Sequence, residues 1–370
     1  MPRHLDQNDR RLLDLLQAEI PAVVRPFDAL AQKLAMDEVQ VLARVAALKS
    51  GPHPVIRQIS AIFDSAALGY HKTLVAARVA EDHLDAAAAV INEHPGVSHN
   101  YRRNHDFNLW YTLTIPAETS LGLQKTVQEL HRRSGALSTR MFPTIRLYKI
   151  GVNFDLSGES ATPKFSPSPG TPGEGRGGGR GGGLRATTEA RAPLTAADKQ
   201  NIRILQQDLP ITSRPFDVWA DEAGISVPTL LEAMARYQRQ GVMRRFSAVL
   251  HHREAGIAGN AMGIWAVPWE LCDAFGALAA AFPQVSHCYQ RPTYDDWPYS
   301  IFTMIHGADH EKCREVLRQI SRQTGIDRYA ALFSTRQYKK IRVKYFTPSI
   351  AAWEQQLAAQ AAQEELAHSA

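Results

Sequence analysis

The chain has 370 residues, which is too long for one ordinary hydrophobic core and predicts two or more domains. Hydrophobic residues make up 44% and charged residues 21%, as in ordinary soluble globular proteins, and no apolar run approaches the ~20 residues that span a bilayer. The net charge of +5 suits an anionic partner, but it suits DNA as well as a polycarboxylate.

The N-terminal part predicts three short helices and a strand. Its first residues are too polar for a signal peptide, so we expect a cytoplasmic protein. Residues 5–18 place four leucines on one helical face, and residues 28–35 and 37–48 carry the patterns of two further helices. A strand at residues 54–63 follows. This order is typical of a winged helix-turn-helix, which we assign to residues 1–50.

The following residues predict an α/β sandwich, which we assign to residues 51–156. After the strand at its start, the patterns give the order βαββαβ. This order with one extra strand predicts a four- or five-stranded antiparallel sheet with two helices on one face, as in ferredoxin-like folds. The predicted elements are a strand at 72–80, a helix at 82–93, strands at 97–103 and 109–115, a helix at 120–133 and a closing strand at 137–150.

A segment of low complexity separates the two halves of the chain. Residues 157–193 are rich in Gly, Pro, Ser and Thr and predict a flexible tether, because they carry little apolar surface to bury. The three cysteines, Cys272, Cys288 and Cys313, all follow this segment and include no CxxC pair. We therefore expect neither a disulfide framework nor a cysteine-ligated metal cluster, and a reducing compartment fits.

Four motifs of the first half recur in the same order in the second half. RPFDAL recurs as RPFDVW, VIRQISAI as VMRRFSAV, PGVSHNYRR as PQVSHCYQR, and STRMFPTIR as STRQYKKIR. Four matches in register indicate a tandem duplication with a pseudo-twofold arrangement. They predict a second helix-turn-helix at 194–240 and a second sandwich at 241–347. Residues 348–370 add an amphipathic helix that we expect to pack across the interface between the units.

A helix-turn-helix followed by this sandwich resembles the Lrp/AsnC transcription regulators over nearly all of both halves. The VSHNYxR motif, with an RRFSAVL-like strand before it and an STR…IR strand after it, is more specific and resembles the siroheme decarboxylases. In that family two related Lrp-like subunits, of the NirD–NirL or AhbA–AhbB type, form the working unit. The two halves of this chain resemble these two subunits fused into one polypeptide. The resemblance implies an α+β fold and conversion of siroheme to 12,18-didecarboxysiroheme with loss of two CO2, in haem d1 or alternative haem biosynthesis.

The expected ligand sets the requirements for its site. Siroheme is a flat, iron-bearing ring with eight carboxylates, so its site needs several cations, preferably arginines, and aromatic surface. Strand alternation places His99, Tyr101 and Arg103 on one sheet face, and it does the same for their counterparts in the second half. Arg146 and Arg342 are the weakest candidates, since a solvated strand edge explains them as well. The candidate substrate-binding residues are Arg57, Tyr101, Arg103, Trp110, Arg146, Arg244, Arg245, Tyr289, Arg291, Trp297 and Arg342.

His99 and His287 are the candidate catalytic residues, because the same histidine recurs inside VSHxYxR in both halves. Loss of CO2 from a pyrrole acetate leaves an electron pair that requires a proton, and histidine is the natural donor near neutral pH. Each histidine is the predicted donor for one acetate, or one of them contacts the substrate iron as an axial ligand. The alternative is a structural strand histidine. The scheme requires no cofactor beyond the iron tetrapyrrole substrate and no metal held by the protein alone.

Two other functions would use the same features. A DNA-binding regulator needs cations on its recognition helix, but residues 36–48 offer only Gln40 and Arg44, and residues 226–237 offer Arg236. Nucleic acid is therefore not an expected partner, and neither is a membrane. A non-catalytic tetrapyrrole carrier would use the same arginines and histidines but would return its ligand with all carboxylates intact. The sequence leaves further oligomerisation of the pseudo-dimeric chain open.

Overall fold

The computed structural model describes residues 5–150, 193–251 and 259–369, with side chains up to residue 363. The tether predicted at 157–193 lies outside these ranges except for its last residue. Within the described ranges, no helix has both the length and the apolar character needed to cross a membrane.

The two halves contain the same series of helices and strands up to the closing strand, which is divided in the first half and followed by a further helix in the second. In the first half the elements are α1 (Gln7–Ala18), α2 (Pro26–Leu34), α3 (Glu38–Lys49), β1 (Ile56–Phe63), β2 (Tyr70–Arg78), α4 (Leu84–Glu93), β3 (Val97–Arg103), β4 (Leu109–Pro116), α5 (Gly122–Ser134), β5 (Ser138–Phe142) and β6 (Arg146–Ile150). In the second half they are α6 (Ala196–Leu205), α7 (Pro215–Ala223), α8 (Val227–Arg239), β7 (Met243–Leu250), β8 (Gly259–Trp265), α9 (Cys272–Ala281), β9 (Val285–Gln290), β10 (Ile301–Gly307), α10 (His310–Thr324), β11 (Tyr329–Lys340) and α11 (Ser349–Ser369).

Local sequence signals define the helix-turn-helix elements in both copies. Pro26 and Pro215 stand in the first turn of α2 and α7, where the missing N–H of proline costs no helical hydrogen bond. The side chain of Asp6 caps α1 and that of Thr195 caps α6 by accepting from backbone N–H groups. The buried faces of all six helices meet in a single hydrophobic cluster, so the two helix-turn-helix units share one core.

Strands β1 and β7 pack against this core and link the two halves of the chain. They pair antiparallel, with Ser60 opposite Ser247, and form a two-stranded ribbon separate from the main sheet. The strand predicted at 54–63 therefore pairs with its counterpart in the other half and not with its own sandwich. The reason is burial, because Ile56 and Ile59 of β1 belong to the shared helix-turn-helix core.

The main sheet has nine strands in the order β5-β2-β4-β3-β11-β8-β10-β9-β6. The closing strand of each half is exchanged. Residues 329–333 of β11 pair with β8 of their own half, whereas residues 334–340 pair with β3 of the other half. In the first half β5 pairs with β2, and β6 pairs with β9 of the second half.

The single closing strand predicted at 137–150 is divided in the structure. Pro143, Thr144 and Ile145 interrupt it, in line with the inability of proline to donate to a strand ladder. The two ends of the nine-stranded sheet, β5 and β6, are consecutive segments of chain, so the sheet returns on itself. Its helix-free faces enclose an aromatic cluster drawn from both halves, which includes Trp110, Phe142, Trp297 and Phe302.

Helix α11 packs on the half opposite to the one that precedes it in the chain. Ile350 and Trp353 join the core formed by α4, α5 and the first-half strands, and the Trp353 ring lies 4.4 Å from that of His94. The carboxylate of Glu354 accepts hydrogen bonds from the backbone N–H groups of Ser120 and Leu121, just before α5. The helix therefore fastens the end of the chain to the first sandwich.

Replacement of Trp353 by Ala should destabilise the protein, because Trp353 is only 7% exposed and its ring packs into the first-half core. We expect the free energy of unfolding, measured by urea denaturation, to fall by about 3 kcal/mol. The exposed neighbour Gln356 provides the matched control, and Gln356→Ala should change it by less than ~0.5 kcal/mol. Equal stability of the two variants would mean that α11 does not hold the first sandwich.

Candidate functional site

Two equivalent strands each present a histidine, a tyrosine and an arginine on the inner sheet face. On β3 the His99 and Tyr101 rings lie 6.1 Å apart, and the Arg103 guanidinium lies 5.8 Å from the Tyr101 ring centre. On β9 the corresponding distances are 6.0 Å between His287 and Tyr289, and 4.8 Å from Arg291 to the Tyr289 ring. The alternation predicted from the sequence thus brings each triplet together on one face.

Both histidines are oriented by the serine that precedes them. Ser98 Oγ lies 2.9 Å from His99 Nδ1, and Ser286 Oγ lies 2.8 Å from His287 Nδ1. Among the described residues, no hydrogen bond reaches Nε2 of either ring. Nε2 is therefore the ring nitrogen that remains for a ligand or a proton transfer.

Burial and neighbouring cations keep both rings neutral. The pKa of His99 is lowered to about 4, mainly by burial and then by the charges of Lys72, Lys340 and Arg57. The pKa of His287 is lowered to about 3, again mainly by burial, with Lys72 the first of its charged neighbours. One lysine of the first half thus acts on the histidines of both halves.

The surrounding cations form what we call the cationic cluster: Lys72, Arg57, Arg244, Arg245, Lys340 and Arg342. Several of them bind neutral oxygens instead of carboxylates. Arg57 Nη2 donates to the backbone oxygen of Lys340 at 3.0 Å, and Arg342 Nη1 donates to Ser60 Oγ at 2.6 Å. Burial, together with Arg57 and Arg245, lowers the pKa of Arg342 to about 10. Arg244 differs, because it binds the carboxylate of Asp64.

Lys72 is a site residue that the sequence reasoning missed. It shares the inner face of β2 with Leu74 and Ala76, which pack on or within the aromatic cluster. Its side chain is accessible to solvent, yet burial is the largest cause lowering its pKa, followed by Arg244 and Arg291. The Lys72 ammonium group is thus reached by solvent, although protein atoms and other cations surround it. Strand alternation places Lys72 on the same face as Ala76, and this could have identified it. The repeat gives no such signal, because the equivalent residue of the second half is Asn260.

Arg103 and Arg291, which we predict as substrate-binding residues, are buried in the structure and bind backbone oxygens. Arg103 Nη1 donates to the backbone oxygen of Leu332 at 3.0 Å, and Arg291 Nη1 donates to that of Phe142. Each arginine therefore binds a closing strand of the opposite half. Burial lowers the pKa of each to about 10, and neither Nε has a partner among the described residues.

Three predicted substrate-binding residues lie elsewhere. Trp110 and Trp297 are 1% and 0% exposed inside the aromatic cluster, so neither offers a ring face to a ligand. Packing between the first-half and second-half strands of the nine-stranded sheet explains their burial. Arg146 lies exposed on β6 and forms an ion pair with Asp273 of α9, on the helix-covered side of the sheet. Arg342, its counterpart in the second half, belongs to the cationic cluster.

Two other features of the described residues do not provide a competing site. A cleft of ≈ 640 Å³ is lined by residues of α1 and α3 and the turn before α3, but its arginine, Arg44, is paired with Asp6 and Asp9. No group of three or more His, Cys, Asp or Glu side chains in the described part of the chain is arranged to hold a metal ion.

Comparison with known proteins gives consistent matches over both halves. Residues 67–149 and 254–339 match the AsnC-like ligand binding domain, and residues 9–52 and 198–244 match the siroheme decarboxylase NirDL-like HTH domain. The chain is 37% identical to the siroheme decarboxylase of Hydrogenobacter thermophilus, over 94% of this chain and 97% of that protein. It is 29% identical to the siroheme decarboxylase NirDL subunit of Paracoccus denitrificans, over 91% and 96%.

Two solved structures match nearly the whole chain. The crystal structure of the siroheme decarboxylase NirDL has 33% sequence identity and a TM-score of 0.72, covering 96% of this chain and 99% of that one. The crystal structure of the same protein in co-complex with an iron-uroporphyrin III analogue has 32% identity and a TM-score of 0.71, with the same coverage.

The two histidines should make the ligand-free protein less stable in mild acid. Their folded pKa values, about 4 and about 3, lie below the 6.5 of an ordinary histidine, so the unfolded chain binds more protons between these limits. The free energy of unfolding should therefore fall as the pH decreases from about 6.5 to about 4. His287→Asn should reduce this decrease in urea titrations at several pH values. Imidazolium NMR signals at pH 6 that disappear in His99→Asn or His287→Asn would contradict the prediction.

Proposed function

Because the chain belongs to the siroheme decarboxylase family, in the form that fuses two related units, we propose that its cationic cluster binds the carboxylates of siroheme beside His99 and His287. The resemblance and the fold class predicted from the repeated motifs are confirmed. The protein is a siroheme decarboxylase. The proposed reaction removes the C12 and C18 acetate carboxylates, giving 12,18-didecarboxysiroheme and two CO2, which makes the enzyme a carboxy-lyase.

The observation that carries this proposal is the accumulation of cations around two neutral histidines. Among the described residues, Lys72, Arg57 and Arg342 form no ion pair, although like charges lie close to each of them. Such an arrangement is electrostatically unfavourable without a ligand. A polycarboxylate relieves the repulsion and receives charge-assisted hydrogen bonds in return. The arginines supply planar donors that match carboxylate oxygens.

Substrate binding changes the protonation of the histidines. In the free protein the cations disfavour an imidazolium, and the pKa values stay near 4 and 3. Several carboxylates beside the rings cancel these charges, so the histidine pKa values rise and protons are taken up. The proton that each ring can deliver to the substrate is the one on Nε2, because Nδ1 is bound to the preceding serine. That proton replaces CO2 on the substrate carbon.

The low pKa values also favour a second role for one histidine. An axial ligand must present a neutral nitrogen, and Nε2 of His99 or His287 is neutral and available at pH 7. Axial contact and proton donation use the same atom, so one ring cannot perform both at once. Two equivalent rings allow the roles to be divided between the halves.

The helix-turn-helix units do not support regulation of DNA. Arg44 Nη1 binds the carboxylates of Asp6 and Asp9 at 2.8 and 2.7 Å. Arg236 binds Asp198 at 2.5 Å, and Tyr237 donates to the same carboxylate. Arg44 and Arg236 are thus neutralised by acids of their own units, which leaves these two side chains little attraction for phosphates. We therefore assign these units a structural role in the shared core.

Single replacements of the histidines test the proposed chemistry. His99→Ala and His287→Ala should each slow CO2 release from siroheme by ~100-fold or more, since a positioned acid contributes at least that much. Mass spectrometry after anaerobic incubation measures the products. His53→Ala, an exposed position in another segment, is the matched control and should retain full turnover. Wild-type rates in both site variants would end the catalytic assignment, and unchanged siroheme from the wild-type protein would favour the carrier.

The cationic cluster makes a separate prediction about binding. Arg57→Ala and Arg342→Ala should each raise KM for siroheme by about tenfold, because one charge-assisted contact to a carboxylate is worth 1.5–3 kcal/mol. Arg146→Ala is the matched control, since Arg146 is bound to Asp273 outside the cluster. Steady-state kinetics with siroheme gives KM for all three variants. An increase for Arg146→Ala as large as that for Arg342→Ala would contradict the placement of the site.

A further inference from the structure

The second half contains a hydrogen-bonded chain that has no counterpart among the described residues of the first half. Ser286 Oγ lies 2.8 Å from His287 Nδ1 and 2.7 Å from His306 Nε2, and it also lies 3.3 Å from the backbone oxygen of Met304. The serine hydroxyl therefore joins two imidazoles. His306 belongs to β10, and Ser286 and His287 belong to β9, so adjacent strands hold the three groups together.

The corresponding position in the first half carries no imidazole. Thr114 on β4 occupies the place of His306 on β10. Thr114 lies two residues after Thr112, which pairs with His99, and His306 lies two residues after Met304, which pairs with His287. Ser98 still binds His99 Nδ1, but among the described residues no second histidine joins it. The duplication has therefore kept the serine–histidine pair in both copies and the second imidazole in one.

We propose that His306, Ser286 and His287 form a proton relay that gives the decarboxylating site of the second half its own proton supply. This inference rests on the proposed function of His287 as the proton donor. A serine hydroxyl can donate to Nδ1 of one ring while it accepts from Nε2–H of the other. The two short contacts have the lengths that this arrangement requires, and the contact to Met304 is longer.

The proposed step balances without a redox partner. Before the step His306 is the imidazolium, and His287 is neutral, with its hydrogen on Nε2 and with Nδ1 accepting from Ser286 Oγ–H. The C–C bond to the carboxylate breaks, CO2 leaves, and the electron pair of that bond stays on the substrate carbon, which takes the proton of His287 Nε2. Ser286 Oγ–H protonates His287 Nδ1, and the serine oxygen receives the Nε2 proton of the His306 imidazolium. After the product leaves, solvent protonates His287 Nε2, and the proton on Nδ1 returns through Ser286 to His306. Each CO2 thus consumes one solvent proton.

Charged groups on the neighbouring elements determine when the relay takes up its extra proton. Lys72 of β2, Arg244 of β7 and Arg291 act on His287, and Lys340 of β11 acts on His306. All four are cations and oppose an imidazolium on either ring. The relay therefore gains its extra proton only when substrate carboxylates offset these charges, which ties proton uptake to siroheme binding.

The relay is tested on the full-length chain with siroheme under anaerobic conditions. His306→Thr gives the second half the residue of the first, and His306→Gln keeps a hydrogen-bond donor but cannot carry a proton. We expect both variants to lower kcat by about tenfold or more, to accumulate the product that has lost one CO2, and to change the solvent deuterium isotope effect. The affinity for siroheme, followed by absorption titration, should stay within about twofold and shows that the variant is folded.

The serines provide a matched comparison between the halves. Ser286→Ala should reduce kcat more than Ser98→Ala, because only Ser286 connects two imidazoles. Wild-type kcat and product distribution in His306→Gln, or a loss in Ser98→Ala at least as large as in Ser286→Ala, would overturn the relay alone. Absence of CO2 release from the wild-type chain would overturn the proposed function and the relay with it.

Discussion

Repulsion among cations that the fold forces together is the constraint on which the site depends. Lys72, Arg57 and Arg244 come from three different strands and Arg342 from the segment after β11, and each lies within the electrostatic field of at least one other. Desolvation and like charge both oppose this arrangement, so it persists only because the surrounding sheet and core are rigid enough to impose it. The same field explains the neutral histidines and the preference for a polyanionic ligand.

Exchange of the closing strands supplies that rigidity. Strand β11 pairs with strands of both halves of the chain, and the divided strand β5–β6 does the same at the two ends of the nine-stranded sheet. Arg103 and Arg291 add a buried hydrogen bond from each half to the exchanged strand of the other. The aromatic cluster fills the space between the sheets. Together these contacts fix the distance between His99 and His287, which neither half could set alone.

Sequence patterns predicted what recurs and missed what does not. The repeated VSHxYxR motif led to the duplication, the family and the two histidines, because both copies preserve it. Lys72 and His306 carry no repeat signal, because each occurs in one copy; the equivalent positions of the other copy are Asn260 and Thr114. Strand alternation cannot distinguish a face that meets substrate from one that packs against the other half of the sheet, and the prediction of Trp110 and Trp297 as ligand contacts was therefore wrong. The exchange of strands is a long-range pairing without a local signal.

The single core shared by both helix-turn-helix units has an evolutionary consequence. In regulators that bind two operator half-sites, the spacing of the two recognition helices must match the spacing of the major grooves. Here α1–α3 and α6–α8 share one hydrophobic core, which fixes their relative positions. Because these helices need not fit DNA grooves, their sequences need only retain the volume and polarity of the side chains that form the shared core. Drift in their outer surfaces is then tolerated, and covariation should concentrate instead at the buried contacts that cross between the copies.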